Sequence, residues 1–138
     1  MGNIVTMVSS IFIPVTDVRR SAEWYIRMFD MDAIEVLDNR AGLTFPEAET
    51  AILLWKVEKP QPVEFDTGKE KLHYYNFCSF DIYRSHKELE ARGATLSNIH
   101  ELDGFRFFET FDPDHNRFNI VEETPESPYY SHKKRFYR

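Results

Sequence analysis

One short spelling occurs twice in this chain. Asp17-Val18-Arg19-Arg20-Ser21 returns as Asp81-Ile82-Tyr83-Arg84-Ser85, with the shared frame Asp-aliphatic-x-Arg-Ser, and each copy follows an apolar run. A recurrence of that kind marks one supersecondary unit used twice. Two such units nearly fill the 138 residues.

The flanks of each copy say what the unit contains. From Val8 to Val15 the side chains alternate, with Ile11, Ile13 and Val15 on one face and Ser10, Phe12 and Pro14 on the other. Alternation is the mark of a strand with two unlike faces. The first face is expected beneath a helix, and the second is expected to line whatever the sheet encloses. Asp17 is a good N-cap. Val18, Ala22, Tyr25, Ile26 and Phe29 then fall at helical spacing and predict a core stripe, with Trp24 and Met28 beside it. The helix is expected to end near Asp30 to Asp32. Short strands follow at about 33–37, 42–45 and 51–57, separated by turn-forming residues.

Glu58 to Lys71 is rich in Pro, Glu, Lys and Gly, lacks periodicity, and reads as a linker. The plan then repeats. His73 to Phe80 predicts a strand, Asp81 caps a helix that ends at Gly93, and strands follow at about 95–101, 105–111 and 117–123. Asp103-Gly104 and Asp112-Pro113-Asp114-His115-Asn116 are the turn signals between them. The expected architecture is α+β, two βαβββ modules within one domain. Module 1 spans about 7–58, the linker about 59–71, module 2 about 72–123 and the tail 124–138.

Composition narrows the function classes. A net charge of −6 argues against general nucleic-acid binding, which needs a basic footprint. Basic residues with aromatics between them fill the tail from Tyr129 to Arg138, but within an acidic chain that tail reads as a docking or solvated terminus. Aromatics are plentiful, with twelve Phe and seven Tyr, and suit both a core and a ligand pocket. Cys78 is the single cysteine, so no internal disulfide forms and a reducing, cytoplasmic location is expected. No apolar run approaches the ~20 residues that span a membrane. The start, Met1-Gly2-Asn3-Ile4-Val5-Thr6, lacks the features of a secretory signal and fits the loose N-myristoylation pattern, although its ordinary reading is a lead into the first strand.

This doubled order resembles the vicinal oxygen chelate superfamily, which holds glyoxalase I, fosfomycin-resistance proteins, extradiol dioxygenases and bleomycin-resistance proteins. The resemblance rests on the stretch Val15 to Tyr25, on Leu89-Glu90-Ala91-Arg92-Gly93-Ala94, and on Phe111 to Phe118 with its Asp-Pro-Asp-x-Asn turn. It implies a curled mixed sheet around a central funnel, helices outside, a small-molecule ligand inside, and a homodimer. In the enzymes of that group, the resemblance implies a divalent metal held by His and Glu from four strands, acting as a Lewis acid.

Carried over by position, the family's first His falls seven residues before each capping Asp, on Ser10 and Tyr74. Its last Glu falls three residues after the Asp-Pro-Asp-x-Asn turn, on Asn119, and by analogy between halves the remaining ligand falls near Leu53. None of the four is His, Asp, Glu or Cys, and a neutral set lacks the charge to hold a divalent cation. The resemblance therefore implies this fold without its usual metal. His73 adjoins Tyr74 but faces the opposite way on a regular strand, so only a one-residue bulge brings it inside. Glu122 has the wrong parity relative to Asn119, His115 lies in a turn, and His86 and His100 read as satisfied or surface histidines. No nucleophilic triad and no glycine-rich phosphate loop is visible.

Ser10, Phe12, Leu53, Trp55, Tyr74, Asn76, Asn119 and Val121 are therefore the expected ligand-binding residues. They suit a small, partly aromatic or apolar ligand held by stacking and a few hydrogen bonds, with no cofactor. The alternative is a metal-dependent lyase, isomerase or dioxygenase with rearranged ligands such as His73. A metal-free enzyme using Tyr74 as acid or base is the third.

Overall fold

In the computed structural model, residues 4–133 are described. The Met1-Gly2-Asn3 start of the acylation pattern and the last five tail residues, 134–138, lie outside the described residues. The chain divides into two compact units: Met1–Gln61 with Asp112–His115, and Pro62–Phe111 with Asn116–Arg138.

In the first unit, β1 (Ser10–Val15) leads into α1 (Val18–Phe29), then β2 (Asp32–Val36), β3 (Arg40–Thr44) and β4 (Ala51–Lys56). The strand order is β1-β4-β3-β2, with β1 parallel to β4 and the other pairs antiparallel. Asp17 is extended and accepts the Arg20 N–H at 3.1 Å, so the capping expectation holds. Asp30 closes the helix in the left-handed region, at φ 55°. Alternation sorts the sheet. Ile13 and Val15 from β1, Ala41 and Leu43 from β3, and Ile52 and Leu54 from β4 are all buried. So are Val18, Ala22, Tyr25 and Met28 on α1. Each large side chain so buried contributes about 1.5–3 kcal/mol. The stripe is rotated from its predicted centre: Ser21 and Met28 are buried, while Ile26 and Phe29 are only half-buried. Phe29 instead meets the rings of Trp24 and Phe45, at 5.6 and 6.1 Å.

Residues 112–115 complete the first unit. Asp112 accepts from the Tyr25 hydroxyl at 2.7 Å, in a buried contact. Asp114 accepts from the Thr16 N–H at 2.9 Å and the Thr16 hydroxyl at 2.5 Å, and from Arg20 at 3.3 Å. The Asp-Pro-Asp-x-Asn spelling thus places two carboxylates where one buried phenol, one backbone amide and one guanidinium need acceptors. His115 takes the left-handed conformation, φ 64°, and is exposed, as its turn position implies.

In the second unit, β7 (Asn76–Cys78), α2 (Ile82–Ala91), β8 (His100–Leu102), β9 (Phe105–Phe111) and β10 (Arg117–Glu123) repeat the plan in the order β7-β10-β9-β8, with β7 parallel to β10. Asp81 caps α2 through the Arg84 N–H at 3.2 Å, and Gly93 follows at φ 92°, as expected. Three expectations need correction. The linker contains a hairpin, β5 (Glu64–Asp66) with β6 (Lys71–His73), turned at Gly68. The predicted strand 73–80 is broken, because His73 pairs with Glu64 while only residues 76–78 pair with β10. Most of 95–101 is not strand; a single bridge joins Leu96 to Thr110 before β8 begins. Local β propensity was read correctly there, but ladder partners decide where a strand starts. The tail docks: Thr124 N–H donates to the Gly104 carbonyl at 2.9 Å, Ser127 to the Glu123 carboxylate at 2.6 Å, and a short α3 (Tyr130–Lys133) follows.

Burial and the nearby Asp112 charge raise the Tyr25 phenol well above its ordinary pKa. A raised acid keeps its folded-state bond below the unfolded value of about 10 and loses it as pH rises through the folded value. Stability in urea is therefore expected to fall steeply above about pH 10, and less steeply in Tyr25→Phe. Asp114→Ala, which strips the Thr16 amide and hydroxyl of their acceptor, is expected to cost about 2–4 kcal/mol in the same measurement at pH 7.

Candidate functional site

Each sheet keeps one face under its helix and leaves the other open. On the open face of the first sheet, β1–β4 pairing sets Ser10 beside Ala51, Phe12 beside Leu53 and Pro14 beside Trp55. Phe12 and Trp55 are 56% and 44% exposed, and their rings meet edge to face at 5.8 Å. Ser10 and Leu53 are half-buried. The four expected residues of this unit thus share one apolar face, with Gly42 opposite Leu53 giving that side chain room.

On the second sheet, Asn119 lies opposite both Asn76 and Glu109, and Val121 opposite Cys78 and Phe107. The Asn119 amide donates to Asn76 Oδ1 at 3.1 Å. These residues front a cavity of about 520 Å³, within the roughly 300–1,000 Å³ usual for ligand sites. Asn76, Asn119 and Val121 line it together with Leu72, Phe105 and Phe107. Its rim comes from the Asp103-Gly104 turn and from Ser127, Pro128 and Tyr129 of the tail. Phe105 and Phe107 stack along β9, centroids 5.9 Å apart, and His100 lies against Phe107 at 4.9 Å.

Tyr74 is placed differently from its expected strand position. It sits in the break between β6 and β7, 58% exposed, against the ring of Phe65 at 5.4 Å, and does not line the cavity. The same break supplies the irregularity that His73 needs. His73 Nε2 lies 3.1 Å from the Glu109 carboxylate, with its side chain only 6% exposed and Nδ1 without a hydrogen-bond partner. Arg117 meets the same Glu109 oxygen at 3.3 Å. Glu109 shares the open face with Phe105 and Phe107, so this polar cluster adjoins Asn119. His86 is a satisfied histidine, bonded to the Ser97 carbonyl at 2.9 Å and edge-on to Phe108. Burial pushes the Tyr75 phenol up, and Tyr74 adds to it, which moves that group away from a base's range.

The positions to which the resemblance carries a metal hold no residues that suit one. Ser10 and Leu53 in the first unit, and Tyr74 and Asn119 in the second, supply neither imidazole nor carboxylate. Among the described residues no group of three or more His, Cys, Asp or Glu gathers as a metal cage would require. His73 and Glu109 are two donors, and Arg117 already draws on one of them.

Several residues of the cavity escaped the sequence reading. Phe105 and Phe107 carry a signal, since period-two alternation on β9 puts them on the face of Asn119 once the strands are paired antiparallel. Glu123 carries the same signal, two residues beyond Val121 on β10 and opposite Phe105, whereas Leu72 and the tail residues carry none because they reach the cavity by tertiary placement.

Two βαβββ units with parallel first and last strands define the class of the fold. The sequence matches the model of the Glyoxalase/Bleomycin resistance protein/Dioxygenase superfamily over residues 7–120, and the chain belongs to that superfamily. None of the curated proteins matches it. Among solved structures it is similar to TnmS3, an antibiotic binding protein from Streptomyces sp. CB03234, at 15% identity and TM-score 0.72, covering 89% of this chain and 100% of that one. It is also similar to the genomically encoded fosfomycin resistance protein FosX from Listeria monocytogenes, at 15% identity and TM-score 0.69, covering 89% and 98%. Lactoylglutathione lyase from Agrobacterium tumefaciens gives 14% identity and TM-score 0.66, covering 86% and 94%. At such identities these likenesses establish the fold alone. No helix among the described residues is long and apolar enough to cross a membrane.

The tail's seat on Gly104 is testable. Gly104 has φ 92°, and a Cβ there would stand 3.3 Å from Ser127 Cα. Gly104→Ala is expected to lower stability by about 1–3 kcal/mol, from strain and crowding together. Limited proteolysis is expected to cut the tail after residue 124 faster than in wild type.

Proposed function

We propose that this chain is a metal-free binding protein whose cavity on the open face of the second sheet takes a small, partly aromatic or apolar ligand. The observation that carries the reading is that cavity: an apolar wall of Leu72, Phe105, Phe107 and Val121, crossed by the paired amides of Asn76 and Asn119. Rings supply apolar area at low entropic cost, and a few fixed polar groups orient what they hold. The antibiotic-binding description of TnmS3 and the resistance description of FosX support a role in holding or disposing of a small organic molecule. Ser10, Phe12, Leu53 and Trp55 form a second apolar surface for the same purpose. Tyr74, outside the cavity lining, is kept as a contact only for a ligand that extends beyond it. The superfamily match runs through both units, which supports reading them as one domain. A homodimer in a reducing cytoplasm is part of the same proposal.

The second reading, an enzyme with rearranged metal ligands, draws its support from His73, which does reach Glu109. Metal analysis after purification without chelators separates the two. The binding reading expects substoichiometric Zn, Ni, Fe and Mn; one equivalent per chain, lost in His73→Ala, overturns it.

A neutral probe tests the cavity itself. N-phenyl-1-naphthylamine is expected to bind with enhanced fluorescence. Phe107→Ala is expected to weaken it about tenfold, the worth of about 1–2 kcal/mol of apolar contact. Unchanged affinity in that variant would count against the site.

A further inference from the structure

We infer that the ligand of this cavity is an organic cation: a protonated or quaternary amine attached to a flat apolar group. The inference rests on the binding reading above and adds the sign of the charge. Three lining residues, Glu70, Asp103 and Glu123, are carboxylates, and among the described residues no lining residue is Lys or Arg. The side chain of Glu123 is largely buried and held in place, accepting from Ser127 at 2.6 Å and meeting Lys133 Nζ at 3.5 Å. Lys133 offsets that one charge. Glu70 and Asp103 are exposed at the mouth, and neither is in a salt bridge among the described residues.

The neighbouring surface has the same sign. The adjoining depression shares Leu102, Asp103 and Gly104 and adds Glu101 and Glu126 against one cation, Arg106. Arg106 is already committed to Glu101 at 3.6 Å and Glu122 at 3.5 Å. A mouth lined by one sign of charge concentrates ligands of the other. The floor agrees with the mouth. The faces of Phe105 and Phe107 are negative at their centres and attract a cation within about 6 Å, and Tyr129 adds a third ring at the rim. An anion would meet carboxylates and ring faces, with no cationic donor among the described lining residues to offset them. A neutral ligand would use the rings and leave the carboxylates without a role.

Three probes of one shape separate these cases: 1-naphthylmethylammonium, 1-naphthylmethanol and 1-naphthoate, titrated calorimetrically into the full chain at about 20 mM and about 300 mM salt. The ammonium is expected to bind about tenfold or more tightly than the alcohol at low salt, to lose most of that advantage at high salt, and naphthoate is expected to bind weakest. The double variant Glu70→Gln/Asp103→Asn removes two exposed charges and keeps a turn-favouring residue at position 103. It is expected to cut the ammonium's advantage over the alcohol about three- to tenfold. Equal affinity for ammonium and alcohol, a preference for naphthoate, or an advantage untouched by the double variant overturns the inference and leaves the binding reading standing. Binding of none of the three, or binding indifferent to Phe107→Ala, overturns the binding reading itself.

Discussion

Parallel pairing of the first and last strands in each βαβββ unit is the constraint from which the rest follows. A parallel neighbour demands a crossover, and the helix that makes it must cover one face of the sheet. In the first unit that pairing sets Ile13 beside Leu54 under α1 and Phe12 beside Leu53 on the other side. In the second it sets Ile120 beside Phe77 under cover and Asn119 beside Asn76 in the open. The β9 and β10 residues that line the cavity are on the uncovered face because the helix has taken the other one.

Polar groups are distributed by the same logic. The carboxylates of Asp112 and Asp114 are among the least exposed side chains, and each has donors waiting: a phenol, an amide, a hydroxyl and a guanidinium. Buried charge persists only where it is satisfied in this way. The carboxylates around the cavity differ, since Glu70 and Asp103 stand in water and keep their field for whatever approaches. Glu123, the third carboxylate of the lining, is instead enclosed and bonded to Ser127 and Lys133.

The His73–Glu109–Arg117 cluster marks where regular strand geometry gives way. His73 ends one strand and Asn76 begins another, and the two residues between them cancel the parity that a continuous strand would impose. The side chain that alternation would turn away is thereby brought to Glu109. Tyr74, which alternation would turn inward, goes outward to Phe65.

The repeated Asp-aliphatic-x-Arg-Ser spelling, the alternation from Val8 to Val15 and the Asp-Pro-Asp-x-Asn turn were enough to determine the βαβββ plan of each unit, both helix caps and the faces of β1. These are local properties: capping needs one oxygen near one amide, and alternation needs only the pleat. The neutral character of Ser10, Leu53, Tyr74 and Asn119 was legible for the same reason, since residue identity does not wait on folding. The hairpin inside the linker, the broken strand at Tyr74, the reach of His73 and the tail's closure over Gly104 were decided only by tertiary structure. Each depends on a hydrogen-bond partner or a packed neighbour far away in sequence, and a one-dimensional pattern holds no record of which distant group will be there.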